Sequence, residues 1–441
     1  MASTKLTRTF SADSNRKKFT VSVWVKKSQN ASVKPIWGGE ISTGYVWFNM
    51  GSTIYFQQNP SSTIEFNSTA KFRDSGAWYH VVQQVDTAQA TNTNRMKFWV
   101  NGEQITDWAT STYPSQDEEI KFQSAAYPLR IGEFGNSYWD GSMSHFHWCD
   151  GYAYEASDFG STDATTGEWK IKTSPSVSYG TNGFFILKDG NSVTDESPNT
   201  NNFTVSTGTL TKTEDNPSNN FATLNPLYRK PQTNPSELTN GNTGVIGGSA
   251  HRADVPTIAV NSGKWYMEAK AISGNTTKWW WGLSKVSVAE EKQSLANTDN
   301  FIYGDASGTQ GVYSNNLKVD GSTAISSIFG GAVAANDIVM IAVDLDNQKV
   351  WYGLNGTWNN GSASQSTTIN LSYPDSTALT ANEYYYIGVG NENTKWHTNY
   401  GNGYFGTTAV SSAGTNASGI GIFEYDVPTG FTALSTKGLN E

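Results

Sequence analysis

His145-Phe146-His147-Trp148-Cys149 places three potential metal ligands at alternating positions. Successive side chains of an extended strand point to opposite faces, so both imidazoles and the thiol would share one face, and all three can hold zinc. A zinc site also needs a fourth ligand and a spacing that closes a tetrahedron, and the sequence supplies neither. Partly buried sheet positions account for the same pattern, so no metal is expected. Asp344-Leu345-Asp346-Asn347 offers oxygens of the kind calcium takes. Short polar side chains at this spacing also build a tight turn, and the turn is the expectation. Gly241 to Gly248 lacks the lysine and the strand-to-helix context of a phosphate loop and reads as flexible loop. No cofactor is expected.

Aromatic clusters are the stronger lead. In Trp279-Trp280-Trp281, alternation sends Trp280 to one face and Trp279 with Trp281 to the other. At least one ring is expected in a core, and at least one exposed as a platform, because aromatic faces stack on sugars and anchor protein interfaces. Trp396, Tyr400 and Tyr404 fall in a Gly/Asn-rich stretch and form a second candidate surface. These six residues are the expected ligand- or partner-binding set; no catalytic residue is expected.

Elements that could position such rings are strands. Ile338 to Leu345 is apolar except at Asp344, as a strand buried on both faces should be. Asp346-Asn347 turns the chain, and Val350 to Leu354 returns with Val350, Tyr352 and Leu354 on one face and Trp351 on the other. Asn355-Gly356 ends the hairpin with a positive-φ pair. The design recurs upstream, where Trp78 to Asp86 is followed by Met96 to Val100 and Asn101-Gly102. Two hairpins of one pattern, far apart in 441 residues, predict two sandwich domains. Aromatics at 13%, charged residues at only 16% and 42 glycines suit many short strands joined by turns. Helix is predicted only as a turn or two, over Val288 to Asn297 and Glu155 to Phe159.

The formal charge of −9 and the absence of a basic stripe exclude a phosphate-backbone partner, so no nucleic acid is expected. Cys149 is the lone cysteine and excludes an intramolecular disulfide. No 18-residue apolar run and no apolar region near the N-terminus occur, predicting a soluble chain without membrane insertion, made in a cytoplasm.

Along the first half, Phe19 to Lys27, Ile36 to Gly39, Tyr45 to Phe48, Ser52 to Gln57, the upstream hairpin, Leu129 to Gly132 and Gly141 to Asp150 read as successive strands. Phe19 to Lys27, Trp78 to Val82, Phe98 to Gly102, Leu129 to Gly132 and Gly141 to His145 together resemble a laminin-G-type, concanavalin A-like lectin/glucanase sandwich over 1–205. Ser206 to Pro235, rich in Thr, Asn and Pro, is the expected linker, with Phe221 to Leu227 able to dock onto a neighbour. Gly263 to Ala271, Trp281 to Lys285, the 337–356 hairpin, Tyr386 to Gly390, Thr398 to Gly401 and Pro428 to Leu434 resemble a SPRY domain over 236–441. The expectation is therefore all-β, with two tandem antiparallel β-sandwich (jelly-roll) domains.

The resemblance also bears on activity. Glucanases of this sandwich carry Glu-x-Asp-x-x-Glu on one strand, and the nearest approach is Glu424-Tyr425-Asp426, with Thr429 where the second Glu should stand. A lone acid pair does not divide the nucleophile and acid roles, so no hydrolysis is expected. More narrowly, Leu6 to Phe10 with Asn15-Arg16-Lys17, Cys149 to Tyr152 with Asp158-Phe159-Gly160, and Asn201 to Thr204 with Asn219 to Leu227 resemble a lectin-like module of tailed phages of marine and cyanobacterial hosts. That resemblance implies a non-enzymatic virion protein, assembled in the host cytoplasm: a fibre, appendage or capsid-surface component. Its implied partners are other virion proteins and a host-surface glycan or receptor, and it is expected to be a homo-oligomer. A capsid-decoration protein with a purely structural role is the alternative, and a carbohydrate-active hydrolase the rival from another class.

Overall fold

The computed structural model describes all residues except 1–2, 31–33, 61–62, 123–126, 189–192, 229–235, 249–251, 275–278, 288–308, 314, 321, 363–364, 392–393 and 441. The chain is all-β, with 45% strand and 4% helix. Strands pair antiparallel apart from one short parallel contact in a main sheet. Two compact units divide it, residues 1–212 with 216–218, and residues 213–215 with 219–441. Segment 288–297, expected as a helical turn, lies outside the described residues. Helix α1 (Ala156–Phe159) forms where a turn was expected, closed by a capping box between Glu155 and Asp158.

The first unit begins with β1 (Lys5–Arg8), β2 (Lys18–Lys27), β3 (Pro35–Ile41), β4 (Gly44–Met50), β5 (Ile54–Pro60) and β6 (Ile64–Ser68). It continues through β7 (Trp78–Asp86), β8 (Met96–Val100), β9 (Glu103–Gln104), β10 (Trp108–Thr112), β11 (Leu129–Ile131) and β12 (Glu133–Phe134). β13 (Ser137–Tyr138), β14 (Gly141–Asp150), β15 (Gly160–Thr162), β16 (Trp169–Ile171), β17 (Phe184–Ile186) and β18 (Thr204–Thr207) complete it. An eight-stranded sheet of order β10-β6-β5-β4-β3-β11-β1-β18 packs on a six-stranded one of order β17-β14-β2-β7-β8-β9. Val21, Val23 and Val25 of β2 and Val46, Phe48 and Met50 of β4 meet in the core between them. Asn101 and Gly102 take φ of 50° and 82°, the left-handed pair that a two-residue hairpin needs.

The second unit comprises β19 (Glu237–Thr239), β20 (Gly244–Ile246), β21 (Arg252–Asp254), β22 (Lys264–Gly274), β23 (Trp279–Lys285) and β24 (Thr309–Tyr313). There follow β25 (Asn316–Val319), β26 (Ser322–Ile325), β27 (Ile338–Asp344), β28 (Lys349–Leu354), β29 (Thr357–Trp358) and β30 (Tyr385–Asn391). β31 (Thr394–Asn399), β32 (Tyr404–Phe405), β33 (Thr408–Ala409) and β34 (Thr432–Ala433) end it. Its larger sheet runs β19-β20-β31-β22-β27-β28-β29, with β34 parallel to β22, and its smaller one β21-β30-β23-β24-β25-β26. The β27–β28 hairpin alternates as expected: Val350 and Tyr352 enter the core between the sheets, and Trp351 enters a second cluster on the outer face. Gly241 to Gly248, expected as loop, instead carries β20, and Gly244 packs against His397 where a side chain would collide. Of the expected linker 206–235, Phe221, Ala222 and Leu224 are buried in the second unit, and 229–235 lies outside the described residues.

Candidate functional site

Five of the six aromatic residues expected to bind are interior, which corrects that expectation. Trp279, Trp281, Trp396 and Tyr400 belong to the core between the two sheets of the second unit. Trp279 and Trp396 pack at 5.2 Å between ring centroids, and the Tyr400 hydroxyl donates to the Ile387 carbonyl at 2.9 Å. Trp280 faces the other side, yet it is 2% exposed and lies over Gly311, whose missing Cβ leaves room for the indole. The alternation was read correctly; the outer face is simply not open there. Tyr404, in β32, is half-buried and alone of the six keeps surface.

The expected metal-ligand face is filled by packing. The β14–β2 register shifts between Ser144 and His147, and His145 takes a positive φ of 50°, so the strand bulges at the first histidine, yet His145 and His147 both still lie against Phe185. His147 stacks on Phe185 at 3.9 Å and shares a hydrogen bond with the Tyr179 hydroxyl, while Cys149 packs among Val82, Trp99, Ala156 and Phe159. His80 lies beneath the same cover, its Nδ1 accepting from Trp169 Nε1 at 3.0 Å and its Nε2 facing Ser22 Oγ at 2.8 Å. Burial first, then neighbouring His145, pushes its pKa down to about 3. Among the described residues no three His, Cys, Asp or Glu side chains cluster for a metal.

The remaining acids are anchors. Asp344 accepts from the Asn347 backbone and side chain and pairs with Lys264 at 3.1 Å, and Asp346 accepts from Gly263 N, so both serve the turn. Glu424 accepts from the Ser411 backbone and hydroxyl, and Asp426 from those of Thr415.

An unanticipated surface lies on the outer face of the first unit's eight-stranded sheet. Because Val46, Phe48, Phe56, Ile64 and Phe66 point into the core, the intervening Tyr45, Trp47, Tyr55, Gln57, Glu65 and Asn67 must point out. All six are partly exposed. Register aligns them across strands: Arg130, Gly38, Trp47, Gln57, Glu65 and Thr112 form one row over six strands. Asn49, Tyr55, Asn67 and Thr110 form a second.

Rings and hydrogen-bonding groups alternate here. Phe134 folds back onto Gly38, where a Cβ would stand 2.4 Å from its ring. Tyr45 and Phe134 lie 5.5 Å apart, Phe134 and Trp47 6.0 Å, and Trp47 and Tyr55 6.0 Å edge-on. Trp47 Nε1 donates to Gln57 Oε1 at 3.2 Å, which fixes the indole and leaves the Gln57 amide nitrogen as a donor. Tyr55 donates to Glu65 at 3.3 Å; burial, then the Glu65 carboxylate, raises its pKa to about 12, so the phenol stays a donor. At the other end Arg130 pairs with Glu40 at 2.5 Å and lies over the Phe134 ring. Asn67 Oδ1 and both amide atoms of Asn49 are buried without a hydrogen-bond partner among the described residues.

The sequence carried a faint signal for this face. Within three consecutive strands, Val46, Phe48, Ile54, Phe56, Ile64 and Phe66 alternate with Tyr45, Trp47, Asn49, Tyr55, Gln57, Glu65 and Asn67. With aromatics on both faces, the pattern did not say which face another segment would cover.

Comparison with known proteins adds to this geometry. A family model described as the concanavalin A-like lectin/glucanases superfamily matches residues 3–158. No curated protein matches the chain. Among solved structures, the SPRY domain of human HERC1 is similar at 15% identity, covering 37% of this chain and 91% of its own, with a TM-score of 0.27. A heptameric SAP-like pentraxin from Limulus polyphemus is similar at 16% identity, with 35% and 72% coverage and a TM-score of 0.27. The PSpry domain of TRIM65 gives 15% identity, 40% and 91% coverage, and the same TM-score.

Proposed function

We propose that the chain is a non-enzymatic attachment protein that grips a partner surface through the partly exposed sheet face of its first unit. The observation that carries this reading is the partly exposed ring set Tyr45, Trp47 and Tyr55, interleaved with amide and carboxylate groups on one sheet face. Exposed rings beside ordered hydrogen-bonding groups suit recognition, because the rings supply contact area at low entropic cost and the polar groups supply direction. Similarity of residues 3–158 to a lectin and glucanase family agrees with it.

Binding is favoured over hydrolysis by the placement of acids. Glu40 on β3 and Glu65 on β6 stand three strands apart, about 14 Å at the usual strand spacing. Glycosidases need their two carboxyls roughly 5–9.5 Å apart. Glu40 is moreover ion-paired to Arg130.

The wider setting we infer is the virion of a tailed phage, with repeated copies converting weak single contacts into avidity. The resemblance of Leu6 to Phe10 with Asn15 to Lys17, of Cys149 to Tyr152 with Asp158 to Gly160, and of Asn201 to Thr204 with Asn219 to Leu227 to a phage lectin-like module supports that setting. Purified chain should adhere to host cells, and Trp47→Ala should abolish adhesion while the fold persists. Adhesion unchanged in Trp47→Ala would end the reading, and labelled antibody failing to decorate intact virions would end its setting.

A further inference from the structure

We infer that the first unit carries a separate binding site on the outer face of its six-stranded sheet, for a small zwitterion holding an ammonium and a carboxylate close together: a free α-amino acid or a very short peptide. The site lies on the opposite sheet from Tyr45, Trp47 and Tyr55 and is independent of the attachment reading. Three observations point to it.

The first is a cleft of the right size. Val81 and Val85 of β7 enter the core, so Val82, Gln84 and Asp86 face outward. Ala156 and Phe159 of α1 cover Val82. Beside that cover an open cleft of about 410 Å3 remains, between the β7–β8 connection and residues 151–155, with Gln84 and Asp86 buried at its floor. The volume stands at the small end of the roughly 300–1,000 Å3 that ligand sites occupy. Its lining side chains are mostly polar, which selects a polar ligand.

The second is preorganisation. Arg95 donates to the carbonyls of Gln89, Ala90 and Pro114 at 2.8, 2.9 and 3.0 Å, which ties down the β7–β8 connection. Gln89 Nε2 and Lys18 Nζ hold Asp86 Oδ2 at 2.9 and 3.0 Å, and Gln84 Nε2 donates to the Tyr154 carbonyl at 3.0 Å. Walls fixed in this way lower the cost of ordering them around a ligand.

The third is the charge left over. Lys18 and Asp86 neutralise each other. Lys97, opposite Gln84 in the β7–β8 register, pairs with no carboxylate among the described residues, and Glu155, at the head of α1, pairs with no cation. Gln84 Oε1 and Asp86 Oδ1 have no hydrogen-bond partner among the described residues. One cation and one anion therefore face the same small cleft, with spare acceptors at its floor. A ligand carboxylate accepts from Lys97, and a ligand ammonium has three N–H donors for Glu155 and the floor oxygens. An anion alone would meet the Glu155 charge and an amine alone the Lys97 charge, so each half is favoured only with the other attached.

The test titrates the full chain calorimetrically with glycine, alanine and diglycine, and with methylamine, acetate, inorganic phosphate and glucose as partial or unrelated ligands. At least one zwitterion should bind with a Kd on the order of 0.1–1 mM, the modest affinity that a few non-hydrogen atoms support, and about tenfold tighter than methylamine or acetate. Lys97→Met should erase the advantage over methylamine, and Lys97→Arg should keep most of it. Glu155→Gln should erase the advantage over acetate. Lys97 is partly exposed and Glu155 exposed, so the melting curve should not move in these variants. Trp47→Ala should leave zwitterion binding unchanged. No zwitterion binding in the millimolar range would mean a cleft that holds water only and would overturn the inference. Methylamine or acetate binding as tightly as the zwitterions would overturn it too, as would phosphate binding more tightly than all of them, or zwitterion binding that survives both Lys97→Met and Glu155→Gln.

Discussion

The large sheets of the two units turn similar side chains outward and treat them differently. On β4 and β5 the outward Tyr45, Trp47 and Tyr55 keep part of their surface. On β22, β28 and β29 the outward Tyr266, Trp351 and Trp358 are sealed, because the chain over residues 411–435 returns and lays Phe423, Val427 and Phe431 on them. Tyr266 meets Phe423 at 4.9 Å and Trp351 meets Phe431 edge-on at 6.1 Å. One buried carboxylate fastens this cover. Glu268 accepts from the backbone of Glu424 and of Tyr425 at 2.9 Å each, and from the Tyr266 hydroxyl at 2.9 Å. An aromatic sheet face is thus a second core or a binding surface according to whether another segment covers it.

The sharpest way to break that contrast is truncation of the sealed rings. Trp351→Ala and Phe423→Ala should each cost about 3–5 kcal/mol in urea denaturation, the usual price of emptying a large aromatic site. Trp281→Ala, in the core between the sheets, should behave alike. Losses below about 1 kcal/mol would mean the cover is loose.

The next effect tests the fastening. Burial outweighs the two backbone N–H groups and the Tyr266 hydroxyl and pushes the Glu268 pKa up to about 7 from its usual 4.5. The folded state therefore holds this proton more tightly than the unfolded one. Stability from this group is full below pH 4.5 and is lost as pH rises to about 7, by about 3 kcal/mol. The difference in unfolding free energy between wild type and Glu268→Gln, followed from pH 4 to 8, should show that fall. A flat difference would remove Glu268 as the pH-sensitive fastening.

Smaller changes sharpen the picture. Tyr400→Phe removes the hydroxyl bonded to the Ile387 carbonyl and should cost about 1 kcal/mol. Smallest in stability should be Trp47→Ala, under about 1 kcal/mol in the same denaturation series because its ring is only half-buried. A loss matching that of Trp351→Ala would show that the first face is a sealed core after all.

Much of the fold was legible, and much of the site was not, for one physical reason. Alternation and Asn-Gly turns are local, so the hairpins at 78–102 and 337–356 and the opposite facing of Val350 and Trp351 could be read from residue order. Cover is non-local. Nothing near Trp351 announces that Phe431 will lie on it, and nothing near Trp280 that it will be 2% exposed. The histidine face could be read too, since His145 and His147 both lie against Phe185, but the rings of Phe185, Phe159 and Tyr179 that fill it come from elsewhere in the chain. Tyr45, Trp47 and Tyr55 were placed in strands by pattern, but they stood out less than a run of three tryptophans.

The placement of the first strand has a kinetic consequence. Leu6 of β1 sits opposite both Ile131 and Val205, and in the second unit Ala222 donates to the carbonyl of Leu434. Each unit therefore joins the beginning of its segment to the end. A ribosome adding about 5–20 residues per second must extend the chain for on the order of 10–40 s after β1 emerges before β18 exists to pair with it. During that interval β1 has an open edge, and the large sheet cannot be completed from contacts already made. Refolding from denaturant should accordingly be slow for the chain's size, in the range of milliseconds to seconds for each unit, and vulnerable to association between half-built sheets at high protein concentration.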